Sequence, residues 1–197
     1  MARTKEFDEQ AVLEKARDLF WERGYTATSI RDLEEYLGIS RSSIYLAFGG
    51  KRELYDRTLA MYREESMLGL ERNLTEAEDL RQALIELFTA TARQSHPECK
   101  SKARGCYVVN ATTEMANSCS KALGFAAESR EQFVAIMQAA LARAQVRGKL
   151  EKQADLTELA DYLFVCYNGL QVVVQTNIER GALVKAVVRS VEGVPWR

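Results

Sequence analysis

An all-α fold is what this chain predicts, and two observations carry the prediction. Its 197 residues hold only 2 Pro and 11 Gly, too few turn-formers for a sandwich of many strands. Ala, Leu, Glu, Lys and Arg, which lose little on entering a helix, dominate the remainder. The apolar residues also recur at intervals of three and four along most of the chain, the period of one helical face. At 47% hydrophobic, the sequence can bury a substantial core, in one domain or two small ones.

The first periodic segment covers residues 8–23, where Val12, Leu13, Ala16, Leu19 and Phe20 make one apolar stripe that stops at Gly24. Thr28 is placed to cap a short second helix whose Ile30, Leu33 and Leu37 point inward, closed by Gly38. Ser40 caps a third, pinned by Ile44 and Phe48 and ended by Gly49-Gly50. A longer helix starts near Lys51 and continues past Tyr62, with Leu54, Thr58, Met61 and Tyr62 inward. Beyond a polar connection at residues 73–79, residues 80–94, 105–115, 120–147, 156–179 and 183–191 all read as helices. The expected breaks are His96-Pro97, the turn around Arg147-Gly148-Lys149, and Arg180-Gly181. The segment 156–179 is apolar around nearly its whole circumference, so it needs cover on all sides. A second copy of the chain supplies that cover if 156–179 and 183–191 pair with their symmetry mates in a two-fold bundle.

A formal net charge of −1 gives no global basic signature, so contact with a polyanion must rest on a local patch. There is no uninterrupted apolar run long enough to span a bilayer, and MARTKEFDEQ contains no signal-peptide core, so the expectation is a cytoplasmic protein with no membrane contact. Cys99, Cys106, Cys119 and Cys166 have no framework spacing and should rest as thiols. Without a Cys-x-x-Cys pair, and with His96 as the single histidine, no metal and no cofactor is expected. An enzyme would need Cys106 as nucleophile and His96 as base, and the sequence offers neither an orienting carboxylate nor an oxyanion hole, so no enzymatic activity is expected.

The segment GISRSSIYLAFGGK, residues 38–51, leaves most of one helical face polar. Two short helices joined by a turn at Gly38 and buttressed by the first have the layout of a helix-turn-helix. That layout places the second short helix in the major groove, which calls for short hydrogen-bonding side chains and a cation near its N-terminus. Arg41, Ser42 and Ser43 meet the requirement, and from Gly38 to Arg52 the charged residues are Arg41, Lys51 and Arg52 alone. Tyr45 lies on the outward side, where its hydroxyl reaches a phosphate, and Lys51 adds its charge to the free amides of the next helix.

These residues resemble the TetR-type transcriptional repressors. In that family a helix ending in a glycine-aromatic pair is followed by a threonine-capped helix, a short recognition helix with a Tyr-x-x-Phe core, and a lysine. Here these are Gly24-Tyr25, Thr28, Tyr45-Leu46-Ala47-Phe48 and Lys51, over roughly residues 8–60. Two departures, Leu33-Glu34-Glu35 where isoleucine-alanine is commoner and Leu46 where histidine is common, bear on the operator sequence rather than on the fold. The resemblance implies a DNA-binding domain at residues 1–52, including the start of the connecting helix, and an effector-binding and dimerisation domain at 53–197. It implies a homodimer on palindromic double-stranded operator DNA, contacted by Thr28, Arg41, Ser42, Ser43, Tyr45, Leu46 and Lys51, and released by a small-molecule effector.

The resemblance also implies a pocket among the C-terminal helices, for which Cys106, Tyr107, Asn110, Glu114, Phe133, Met137, Tyr162 and Cys166 are candidates, with Phe88, Met115, Phe125 and Tyr167 behind them. Cys106 follows Lys100, Lys102 and Arg104 at the start of a helix, a setting that lowers a thiol's pKa. Gly105-Cys106 with Asn110 is similar to a pattern in a subset of TetR-type proteins, some of which sense electrophiles through such a cysteine. That gives an alternative switch at Cys106, set against the reading of Cys106 as a small buried hydrophobe. Asn110 and Glu114 follow on the same face, and a buried Glu114 would call for a cation, such as an arginine of another helix. A helical ligand carrier that never touches DNA is the remaining alternative.

Overall fold

The helices start where short polar side chains hold their free N–H groups. The computed structural model describes residues 7–93, 103–115 and 120–197. Among them the helices are α1 (Glu9–Arg23), α2 (Ile30–Leu37), α3 (Arg41–Phe48), α4 (Lys51–Glu76), α5 (Leu80–Arg93), α6 (Tyr107–Met115), α7 (Ser120–Val146), α8 (Leu156–Val173) and α9 (Arg180–Glu192). The His96-Pro97 break, the end of the fifth segment at residue 94, and Cys99, Lys100, Ser101, Lys102 and Cys119 lie outside the described residues.

The main departures from the sequence expectation fall at the start of α2, the end of α4 and the junction of α8 with α9. The cap of α2 is Ser29, whose hydroxyl accepts from the Asp32 N–H while the Asp32 carboxylate accepts from the Ser29 N–H. Only Ser29 has an acidic residue three positions on, which completes this reciprocal box. Thr28 is instead buried, its hydroxyl donating to the Gly24 carbonyl at 2.7 Å. Next, α4 runs through Glu76, because Leu70 and Leu74 continue its apolar stripe and are buried. Finally, α8 stops at Val173, and the break falls on residues 174–179. Glu179 caps α9 by accepting from the Gly181 and Ala182 N–H groups at 2.6 and 2.5 Å, so Arg180-Gly181 opens the last helix.

Two apolar cores result. One gathers α1, α2, α3 and the start of α4 around Leu19, Phe20, Leu33, Ile44 and Leu54, and it also takes Tyr107, Val108, Ala111 and Met115 of α6. The other unites the end of α4 with α5, α7, α8 and α9 around Leu84, Phe88, Met137, Leu141 and Leu163. The long α4 contributes to both, and from beyond it α6 enters the first, with Phe125 of α7 packed against it. Gly105, at φ 63°, leads into α6 so close to α8 that a Cβ there would stand 2.4 Å from the Gln171 carbonyl oxygen. No described helix is long and apolar enough to cross a membrane.

Candidate nucleic-acid interface and effector cavity

The turn before α3 is fixed by Gly38 in the left-handed region, φ 70°. Ser40 caps the helix by accepting from the Ser43 N–H at 3.2 Å, and its hydroxyl also bonds those of Ser42 and Ser43 at 2.8 and 2.9 Å. Glu34, part of the family departure on α2, accepts the Arg41 N–H at 2.5 Å and so ties α2 to the first turn of α3. Ile44 and Phe48 bury the inner side of α3 in the first core.

The outer side presents Arg41, Ser42, Tyr45 and Leu46, all exposed, with Ser43 half-buried. The Arg41 guanidinium lies 5.6 Å from the Tyr45 ring centre, and that ring rests against Gly50, where a Cβ would meet it at 3.2 Å. Lys51 is half-buried, its ammonium 4.0 Å from the Tyr25 ring centre. Burial pushes its pKa below the ordinary lysine value, with the Glu114 and Asp32 carboxylates opposing the shift. Of the expected DNA contacts, the structure brings Arg41, Ser42, Tyr45 and Leu46 onto one face. It sets Lys51 beside them and withdraws the Thr28 side chain.

A cavity of about 310 Å³ lies among α4, α5, α6, α7 and α8, lined by Trp21, Tyr62, Ser66, Cys106, Phe133, Tyr167 and Gln171 among others. A second of about 380 Å³ adjoins it through Cys106, Val108 and Ser129, which line both. Cys106 and Phe133, two of the sequence candidates, line the first of these. Tyr107 turns toward α1 and α4, its hydroxyl 3.0 Å from that of Thr58. Met137 is wholly buried in the second core. Tyr162 faces outward and donates to the Ser190 carbonyl of α9, with Cys166 half-buried beside it, so neither lines these two cavities. Asn110 bridges Arg104 and Gln175, at 2.7 and 3.0 Å.

Two expectations about chemistry are corrected. Cys106 is not tuned toward thiolate: surrounding protein atoms desolvate it and push its pKa up, against the opposing pull of the Val109 and Val108 N–H groups and the Tyr62 hydroxyl. Arg104 gives it no help, because its guanidinium turns to the Trp21 ring, Asp18 and Glu22. Glu114 is exposed rather than buried; its hydrogen-bond partners are backbone groups, and the cation whose charge it feels is Lys51 rather than an arginine. Its carboxylate accepts the N–H of Tyr25 at 3.0 Å and of Thr26 at 2.7 Å, in the turn between α1 and α2. Gly24 makes this approach possible, since a Cβ there would stand 3.0 Å from a Glu114 carboxylate oxygen.

Trp21 and Gln171 were not among the sequence candidates for the cavity. Trp21 sits in α1, outside the C-terminal helices where a pocket was sought, and only the tertiary approach of α4 and α6 brings it there. Its ring meets Tyr62 edge-on at 4.9 Å and its indole N–H donates to the Arg104 carbonyl at 3.2 Å.

Residues 12–58 match the family model described as bacterial regulatory proteins, tetR family. The uncharacterized HTH-type transcriptional regulator YezE of Bacillus subtilis is 30% identical over 165 residues, covering 83% of this chain and 84% of its own. The HTH-type transcriptional repressor ComR of Escherichia coli is 30% identical over 178 residues, covering 86% of this chain and 80% of its own. Among solved structures, a cysteine variant of the TetR family regulator CifR, complexed with 26-bp operator DNA, superimposes with a TM-score of 0.84 at 30% identity, covering 98% of this chain and all of the other. With an outward-facing α3 held rigidly by its cap, its inner pair and Glu34, this chain belongs to the TetR family and is a DNA-binding transcriptional regulator.

Proposed function

We propose that the protein is a homodimeric repressor that holds a palindromic operator through the outer face of α3 and leaves it when a small molecule fills the cavity beside α6. The observation that carries this reading is the placement of α6. Its leading end, at Cys106 and Val108, walls the cavity, and its last turn carries Glu114, bonded to the backbone N–H groups of Tyr25 and Thr26. A ligand that displaces α6 therefore moves the turn that leads into α2, the helix on which α3 packs. Packed rings give a second route. Tyr62 lines the cavity and meets Tyr107 edge-on at 5.8 Å, Tyr107 meets Tyr55 at 5.8 Å, and Tyr55 meets Tyr25 at 4.9 Å, under Lys51. ComR is named a repressor and CifR was solved on operator DNA, which supports the same role here.

Aromatic walls with Ser66, Ser129 and Gln171 among them suit a small, largely apolar effector carrying one or two hydrogen-bonding groups. Such a ligand releases DNA only if it binds the DNA-competent and DNA-free arrangements unequally. The test combines gel-shift assays on DNA from the protein's own upstream region with a library of small aromatic compounds. A compound that raises Tm and releases DNA in the wild type, and does neither in Ser129→Trp, supports the reading. Release that survives Ser129→Trp places the effector site elsewhere.

A further inference from the structure

We propose that Leu46 reads thymine, through the C5-methyl group, on the floor of the operator's major groove. The inference rests on the DNA-binding reading of α3 and goes beyond it to one base. Ser42, Tyr45 and Leu46 form the exposed stripe of α3, spaced as one helical face and followed by the exposed cap Gly49. Leu46 is 86% exposed, whereas Ile44 on the same helix is 0% exposed. The fold makes no use of the leucine side chain, yet it holds the backbone beneath it rigidly through the Ser40 cap, the Ile44 and Phe48 anchors and the bond from the Arg41 N–H to Glu34.

The surroundings select the occupant. Leu46 stands among hydroxyls, a glycine and the Arg41–Tyr45 pair, with Glu34 set back on the Arg41 N–H and Glu53 against Gly49 and Gly50. This is a cationic, hydroxyl-bearing surface, complementary to DNA rather than to an apolar protein face. In the major groove every base edge presents donors or acceptors, and thymine alone adds an apolar group. A leucine laid over guanine, adenine or cytosine strips water from polar atoms and returns no hydrogen bond. Over thymine it covers a methyl group and gains the burial of both.

The test uses duplexes enriched by the wild-type protein from a random pool, with each thymine replaced singly by deoxyuridine, which removes the methyl and nothing else. Fluorescence anisotropy should show one thymine per half-site whose replacement weakens wild-type binding about fivefold. Leu46→Ala should bind the thymine duplex about as weakly as the wild type binds the uracil one, and should be indifferent to the replacement at that position alone. Leu46→Met, which keeps an apolar tip, should restore sensitivity, and an unchanged Tm in both variants would show that the fold is intact. Tolerance of uracil at every position, or undiminished methyl sensitivity in Leu46→Ala, overturns the assignment while leaving DNA binding in place. Failure to enrich any sequence overturns the DNA-binding reading itself.

Discussion

Around Cys106, the N–H groups of Val108 and Val109 favour a thiolate while the protein atoms packed about the sulfur favour the neutral thiol, and the second influence is the larger. A raised pKa means that the reactive form is scarce at neutral pH and that its fraction climbs as pH rises. Alkylation of Cys106 by iodoacetamide, followed by mass spectrometry of the peptide, should accelerate about tenfold per pH unit through the neutral range. It should not level off below the ordinary thiol value of 9.0. A plateau near neutrality would mean that a cation reaches the sulfur. Gly24 presents a different conflict, because its φ of 84° strains any side chain and a Cβ there would press on the Glu114 carboxylate. Gly24→Ala should lower stability by about 1–3 kcal/mol in urea titrations, combining the left-handed penalty with displacement of the carboxylate.

Short helices such as α3 persist only because tertiary contacts hold them, being far below the length at which an isolated helix is stable. Ile44→Ala should therefore cost about 2–4 kcal/mol of stability and abolish DNA binding, whereas Ser40→Ala should cost about 1 kcal/mol, both read by chemical denaturation. The first three helices were legible in the sequence because apolar spacing, cap residues and glycines agree there. What decided between Thr28 and Ser29 as cap was Asp32, a partner that only Ser29 can reach in register. The α8 to α9 boundary was less legible, since Glu179 caps in place of the commoner Ser, Thr, Asp or Asn and the valines before it fit helix and turn alike. Tyr107 and Tyr162 line neither cavity beside Cys106, and the sequence could not foresee that. Both α6 and α8 carry apolar residues on more than one face, and helical period does not say which face meets which neighbour. For α6 the distinction has a functional consequence: Glu114→Ala should leave the cavity's ligand affinity in isolation nearly intact. It should reduce the ligand-induced loss of DNA affinity by about fivefold or more, measured as the ratio of operator Kd with and without ligand.

At the scale of the whole molecule, α8 leaves apolar side chains uncovered in a single chain. On α8, Val165 is 68% exposed and Val172 46% exposed, seven residues apart on one face, with Tyr162 exposed three residues before Val165. A face of this kind on an amphipathic helix fits a two-fold pairing of α8 and α9 with the same helices of a second copy. Recognition of a palindrome also requires two α3 helices at a fixed separation of about 34 Å. Val165→Arg should disrupt such a pairing, since each protomer would bring a cation against its own symmetry mate with no counter-charge to offset desolvation. In sedimentation velocity at micromolar concentration, the wild type should run as a dimer and the variant as a monomer. Operator affinity should fall at least about a hundredfold, because the second α3 no longer binds at the high effective concentration that the tether gives it. The salt dependence separates this cause from a damaged DNA-binding unit. If each protomer neutralises its own set of phosphates, the slope of log Kd against log salt should halve in the monomeric variant, whereas misfolding would abolish specific binding altogether. A Val165→Arg protein that remained dimeric and kept the full slope would move the interface off α8.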